Sequence, residues 1–162
     1  MNKEDTLKIG SRIELFIDDF LIESTNGASL RMNPPVRREI VLRMDQPWEG
    51  PGSGVYSVVF RDGEIFRMFY RVIYPDNQDD RSSGQGCAYA ESRDGVRWER
   101  KPLGIVSFGG KDTNIVYEGS DAHNFSPMLD TNPACPPHER YKAVSGLHPR
   151  GLMGYRSADC LC

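Results

Sequence analysis

Along the middle of the chain, hydrophobic and polar positions alternate in short runs separated by turn residues, the period of half-buried β-strands. Val55 to Arg61 forms one such run, Asp62-Gly63 a turn, and Ile65 to Ile73 a second run. After a polar loop, Pro75 to Gly84, the pattern resumes at Cys87 to Glu91, turns at Arg93-Asp94-Gly95 and restarts at Val96 and Trp98. Four antiparallel strands are therefore expected between residues 55 and 101. Upstream, Arg12 to Ile22 is rich in β-branched and aromatic residues around the pair Asp18-Asp19, and reads as two short strands about an acidic bend. Asn26-Gly27 marks a turn, and Leu30 to Leu42 continues in extended form because Pro34-Pro35 bars a helix. Downstream, Lys101 to Gly119 reads as a connection punctuated by Pro102, Gly104 and Gly109-Gly110. His123 to Asp130, Arg140 to Val144 and Gly151 to Arg156 then supply further strands. No stretch of ten residues carries a helical period, so the fold is expected to be all-β.

The lettering itself recurs. Tyr155-Arg156-Ser157-Ala158-Asp159-Cys160 repeats Ala90-Glu91-Ser92-Arg93-Asp94-Gly95, with Ser157 and Asp159 each 65 residues after Ser92 and Asp94. Cys160 stands where the turn glycine Gly95 stood, and Cys162 precedes any counterpart of Trp98. A strand-built repeat of this length suggests the four-stranded blade of a β-propeller. The chain is therefore expected to be one incomplete propeller domain over 1–162, with first-blade strands at 12–45, a complete blade at 55–101 and a truncated blade at 123–162. An open arc of this kind leaves the edge at Tyr155 to Leu161 unpaired and implies self-association.

Composition narrows the partners. With 20 basic against 23 acidic residues and an isoelectric point near 5.6, the chain lacks the footprint for nucleic acid or an anionic membrane. The polar start, Met1 to Thr6, precedes no long apolar run, and a cytoplasmic location is expected. The four cysteines (Cys87, Cys135, Cys160, Cys162) form neither a disulfide framework nor a paired zinc motif, and neither a metal nor another cofactor is expected. Gln46 to Gly54 is rich in glycine, but without a lysine or a following helix it reads as a crossing loop and not a phosphate cradle.

Asp18 and Asp19 suit either acid–base chemistry or the capping of their own bend. His123 and Asn124, at the start of an inner strand, suit sugar hydroxyls or bonds to a neighbouring blade. Glu49, Arg67 and Arg71 weigh as ligand contacts against solvated edges or blade-to-blade pairs. Trp98 is expected in the core and Asp94 in its own turn.

Several of these segments together resemble a known group. Leu15 to Ile22, Pro47-Trp48-Glu49-Gly50, Phe60-Arg61-Asp62-Gly63, Tyr89-Ala90-Glu91-Ser92-x-Asp94-Gly95-x-x-Trp98 and His123-Asn124-Phe125 resemble an uncharacterised branch of the five-bladed β-propeller glycoside hydrolases, the superfamily of arabinanases, levansucrases and invertases. The resemblance implies about two to two and a half antiparallel blades of five. It implies Asp18 or Asp19 as nucleophile or base, and His123, Asn124, Glu49 and Arg71 around a carbohydrate ligand, with the first-blade aspartates and His123 converging on one cleft. The Asn-Asp-Pro and Glu-Cys motifs of the invertase type are absent, and the acid carboxylate lies in none of the matched segments. The chain thus reads as the N-terminal portion of a glycoside hydrolase acting on an unknown glycan and inactive in isolation, or as a non-catalytic carbohydrate- or protein-binding propeller module.

Overall fold

The computed structural model describes residues 7–76, 84–147, 149 and 151–161. The polar loop expected at 75–84 falls largely outside them, as does Cys162. The chain divides into two compact units, Met1–Arg38 and Glu39–Cys162.

In the first unit the described residues form bends, turns and extended backbone without strand pairing. The strands expected within 12–45 are not formed. Ile13, Ile17 and Phe20 are 92, 83 and 82% exposed, so no buried face rewards pairing. The acidic bend itself is present: the Phe20 amide donates to Asp18 Oδ1 (3.0 Å) and the Ile22 amide to the Asp19 carbonyl (3.0 Å).

The second unit is all-β. Its strands are β1 (Val58–Asp62), β2 (Ile65–Ile73), β3 (Gln85–Ser92), β4 (Ser107–Phe108), β5 (Lys111–Asp112), β6 (Ile115–Glu118), β7 (Ser126–Leu129), β8 (Tyr141–Leu147) and β9 (Gly151–Ser157). Helical residues among those described are confined to short 3₁₀ turns at Ser120–Asn124 and Pro137–Glu139. One antiparallel sheet has the order β1-β2-β3-β6 and another the order β7-β8-β9, while β4 and β5 pair alone.

β2 and β3 are central, and alternate residues sort cleanly between their two faces. Met68, Tyr70 and Val72 with Ala88 and Ala90 join Trp48 and Ile115 in one core. Phe69, Cys87 and Tyr89, from the opposite face, join Tyr141 of β8 and Cys160 in another. The four- and three-stranded sheets thus pack face to face through the second core, and the apolar continuity of β2 reflects burial on both sides.

The fourth strand is not the expected one. Val96 to Lys101 leaves only a single bridge, Glu91 to Glu99, and the place beside β3 is taken by Ile115–Glu118, from the segment expected to be a connection. The physical reason is the turn. Asp94 Oδ1 accepts the amides of Val96 (2.9 Å) and Arg97 (2.7 Å), which a paired strand would have directed at β3. The first strand starts at Val58 and not Val55, because the preceding loop carries positive φ at Gly52, Gly54 and Tyr56. His123 and Asn124 lie in a 3₁₀ turn ahead of β7, not in the strand they were expected to open. Trp98, expected in the core, packs half-buried at its margin, as does Phe60, whereas Phe69 and Tyr89 are buried.

Candidate functional site

Two faces of β2 carry two different polar groups. On the Tyr70 face, the Glu49 side chain is fully buried. It accepts the Tyr70 hydroxyl (2.6 Å) and the Gln46 amide (3.1 Å), and faces Arg100 Nε at 3.2 Å. Asn114 extends the network: its amide donates to the Tyr70 hydroxyl and the Tyr89 carbonyl, each at 2.7 Å, and accepts the Trp48 indole N–H at 3.0 Å. Burial and the neighbouring Glu49 carboxylate push the Tyr70 hydroxyl well above its ordinary range. Every group here is engaged with another part of the chain. Glu49 thus sits inside the fold, held by Tyr70, Gln46 and Arg100, the arrangement of an internal pair.

On the opposite face, β2 and β3 present Arg71 and Gln85 at the end of the row that runs through Phe69 and Tyr89. Both are buried, at 5 and 0% exposure, in the phase of the alternation otherwise held by apolar residues. The 3₁₀ turn at Ser120–Asn124 brings His123 against them: His123 Nδ1 lies 3.2 Å from Gln85 Oε1. Asp121, buried in the same turn, accepts the Ser145 hydroxyl at its backbone carbonyl. Over this floor stands Tyr56. Its ring centroid is 5.8 Å from the Arg71 guanidinium carbon and 5.7 Å from the His123 ring. Tyr56 is 60% exposed and holds φ 53°, a conformation costly to a bulky aromatic residue.

Arg71 and His123 are thus brought together around Tyr56, and Asn124 lies beside them on the surface. Glu49 belongs to the other face of β2. Asp18 and Asp19 are exposed and belong to the 1–38 unit. Sequence reasoning missed Tyr56, Gln85 and Asp121. For Gln85 a signal existed: a polar residue in the buried phase of a strand. For Tyr56 the flanking Gly52-Ser53-Gly54 hinted at irregular backbone, but only the three-dimensional arrangement sets its ring over Arg71.

The arrangement combines an exposed aromatic ring with guanidinium, amide and imidazole groups, the mixture that grips a hydroxylated ring. At the far end of the same row, Arg67 donates to Asp62 (2.7 Å) and to the Tyr89 hydroxyl (2.9 Å), and Tyr141 of the other sheet donates to Asp62 (2.6 Å). That cluster ties the sheets together.

No family model, curated protein or solved structure matches the chain.

Proposed function

We propose that this chain is part of a β-propeller of the glycoside hydrolase type and that it binds a glycan at the cluster of Tyr56, Arg71, Gln85 and His123. The observation that carries the reading is Tyr56, an exposed aromatic ring held in a strained backbone conformation above buried polar side chains. Strain of this kind costs about 1–3 kcal/mol and is retained where it serves a site. A sugar has an apolar C–H face and a hydroxyl rim. Tyr56 offers a surface for the first, and the half-buried His123 imidazole, braced from behind by the buried Gln85, offers a partner for the second.

Binding of carbohydrate is better supported than hydrolysis. Glycoside cleavage requires two carboxyl groups on either side of the bond, about 5 Å apart for retention and about 6.5–9.5 Å for inversion. Asp18 and Asp19 are the carboxylates for that role by resemblance alone, and both lie in an exposed bend.

The test is calorimetric titration with soluble arabinan, levan and xylan, run beside a reducing-sugar assay. Binding of at least one polymer, weakened tenfold or more by Tyr56→Ala with an unchanged melting temperature, supports the proposal. Absence of binding to all three, or binding indifferent to Tyr56→Ala, sinks it. Sugar release that Asp18→Ala or Asp19→Ala abolishes would extend binding to catalysis.

A further inference from the structure

The 3₁₀ turn that carries His123 is tied to β3 through one residue. The Gly119 amide donates to the Gln85 carbonyl (3.1 Å), the Ala122 amide donates back to the Gly119 carbonyl (3.0 Å), and the Gln85 side chain meets His123 Nδ1 at 3.2 Å. From β8, the Ser145 hydroxyl donates to the Asp121 carbonyl and holds the same turn. Gln85 is itself fixed, being fully buried and paired with Ile73 at the end of β2. We propose that Gln85 is a positioning residue, which holds His123 as the Nδ1–H tautomer and so presents Nε2 to a ligand as a hydrogen-bond acceptor.

The atom that faces Nδ1 is the amide oxygen Oε1, which can only accept, so Nδ1 carries the proton between them. A neutral imidazole has one such proton, and Nε2 is left with a lone pair. Among the described residues Nε2 has no hydrogen-bond partner. The ring is half-buried, with Nδ1 held by a fully buried side chain and the exposed Tyr56 ring 5.7 Å away. The nitrogen left over is therefore the one offered beside Tyr56.

On the glycan reading, which this assignment extends and rests on, Nε2 selects a group with a hydrogen to give. A free sugar hydroxyl supplies one; a methyl ether at the same position does not, and would leave the lone pair unsatisfied. Tyr56 and His123 then divide one sugar ring, its C–H face to the phenol and one hydroxyl hydrogen to Nε2. Without Gln85 the proton is free to move to Nε2, the tautomer an imidazole favours in water. Nε2–H donates to hydroxyl and ether oxygens alike, so Gln85 sets the specificity without touching the sugar.

Nitrogen NMR of histidine-labelled protein in mildly alkaline buffer, where an imidazole is neutral, reads the tautomer without any ligand, with His123→Gln assigning the signals. A protonated Nδ1 and a bare Nε2 are expected, lost in Gln85→Leu and, should that variant melt early, in Gln85→Met. Oligosaccharides of arabinan, levan and xylan, free and O-methylated, are then titrated into each protein. The wild-type preference for the free form falls about tenfold in the Gln85 variants, the worth of one hydrogen bond, and the bound free form moves the wild-type Nε2 signal. A bare Nδ1 in the free protein, or a tautomer unchanged by both substitutions, overturns the proposal; so does an undiminished preference in a variant whose tautomer has changed. The Nδ1–H tautomer, lost on substitution of Gln85, with no oligosaccharide bound at all sinks the glycan reading alone and upholds the positioning role of Gln85.

Discussion

Gly95 and Cys160, 65 residues apart, hold the same left-handed backbone conformation, with φ of 74° and 77°. The bonds around them are also copies. Ser92 Oγ accepts the amides of Asp94 and Gly95 at 3.3 and 2.9 Å, and Ser157 Oγ those of Asp159 and Cys160 at 3.2 and 3.0 Å. Asp94 accepts the Val96 amide at 2.9 Å and Asp159 the Leu161 amide at 3.0 Å. The serine holds the turn from behind, the aspartate holds it from the front, and the third residue must then turn left.

Glycine makes that turn freely and cysteine does not. Gly95→Ala should lower stability by about 1 kcal/mol, a purely conformational cost, because an added Cβ would meet only Phe66 at 3.9 Å. Cys160→Gly should do the opposite. Relief of about 1–2 kcal/mol of strain exceeds the loss of one buried thiol, worth about 1 kcal/mol. Urea denaturation of both variants measures the pair; destabilisation by Cys160→Gly of more than about 1 kcal/mol would contradict the account.

Glu49→Ala should destabilise the 39–162 unit by about 3 kcal/mol or more, because it leaves the Arg100 and Tyr70 groups facing a buried void. Tryptophan fluorescence in a urea titration reports it, since Trp48 shares the network through Asn114. A loss below about 1 kcal/mol would mean that water replaces the carboxylate at no great cost.

Acid should loosen the contact between the sheets. Burial pushes the Asp62 carboxyl up, but the Tyr141 hydroxyl and the Arg67 guanidinium outweigh it and hold the group below its ordinary value. An unfolded aspartate titrates near about 4, so the folded state binds fewer protons there. The Asp62 contribution is fully present above about pH 4 and is lost as pH falls through the lower folded value. Tyr141→Phe should cost about 1–2 kcal/mol at pH 7 and flatten the stability profile below about pH 4. Denaturant midpoints between pH 7 and pH 2.5 check both parts, and an unaltered acid slope in the variant would refute the assignment.

Tyr56→Gly separates stability from recognition. Removing an exposed ring at φ 53° should leave the melting temperature unchanged or higher while glycan affinity falls at least tenfold. A variant that melts earlier and binds as before would make Tyr56 a packing residue.

How legible all this was in the sequence depends on how local each cause is. β2 was readable to the residue, Ile65 to Ile73, because the alternation and the turn at Asp62-Gly63 define it from within. The repeat was readable as well, since Ser-x-Asp followed by a residue at positive φ is a closed set of bonds among neighbours. Arg71 and His123 could be singled out as polar residues near strands, but Gln85 and Tyr56 completed their cluster only through contacts made across 38 and 15 positions of chain.

The sequence by itself determined the strand type, the turns and the two-faced character of β2 and β3, because these follow from side-chain alternation and from bonds spanning two or three residues. Tertiary structure alone decided which segment pairs beside β3, and which face of the sheet holds Glu49 and which holds Arg71. Those outcomes depend on competition between distant segments for the same edge or the same buried surface. Ile115–Glu118 pairs beside β3 because Asp94 had already claimed the amides that Val96 and Arg97 would have offered.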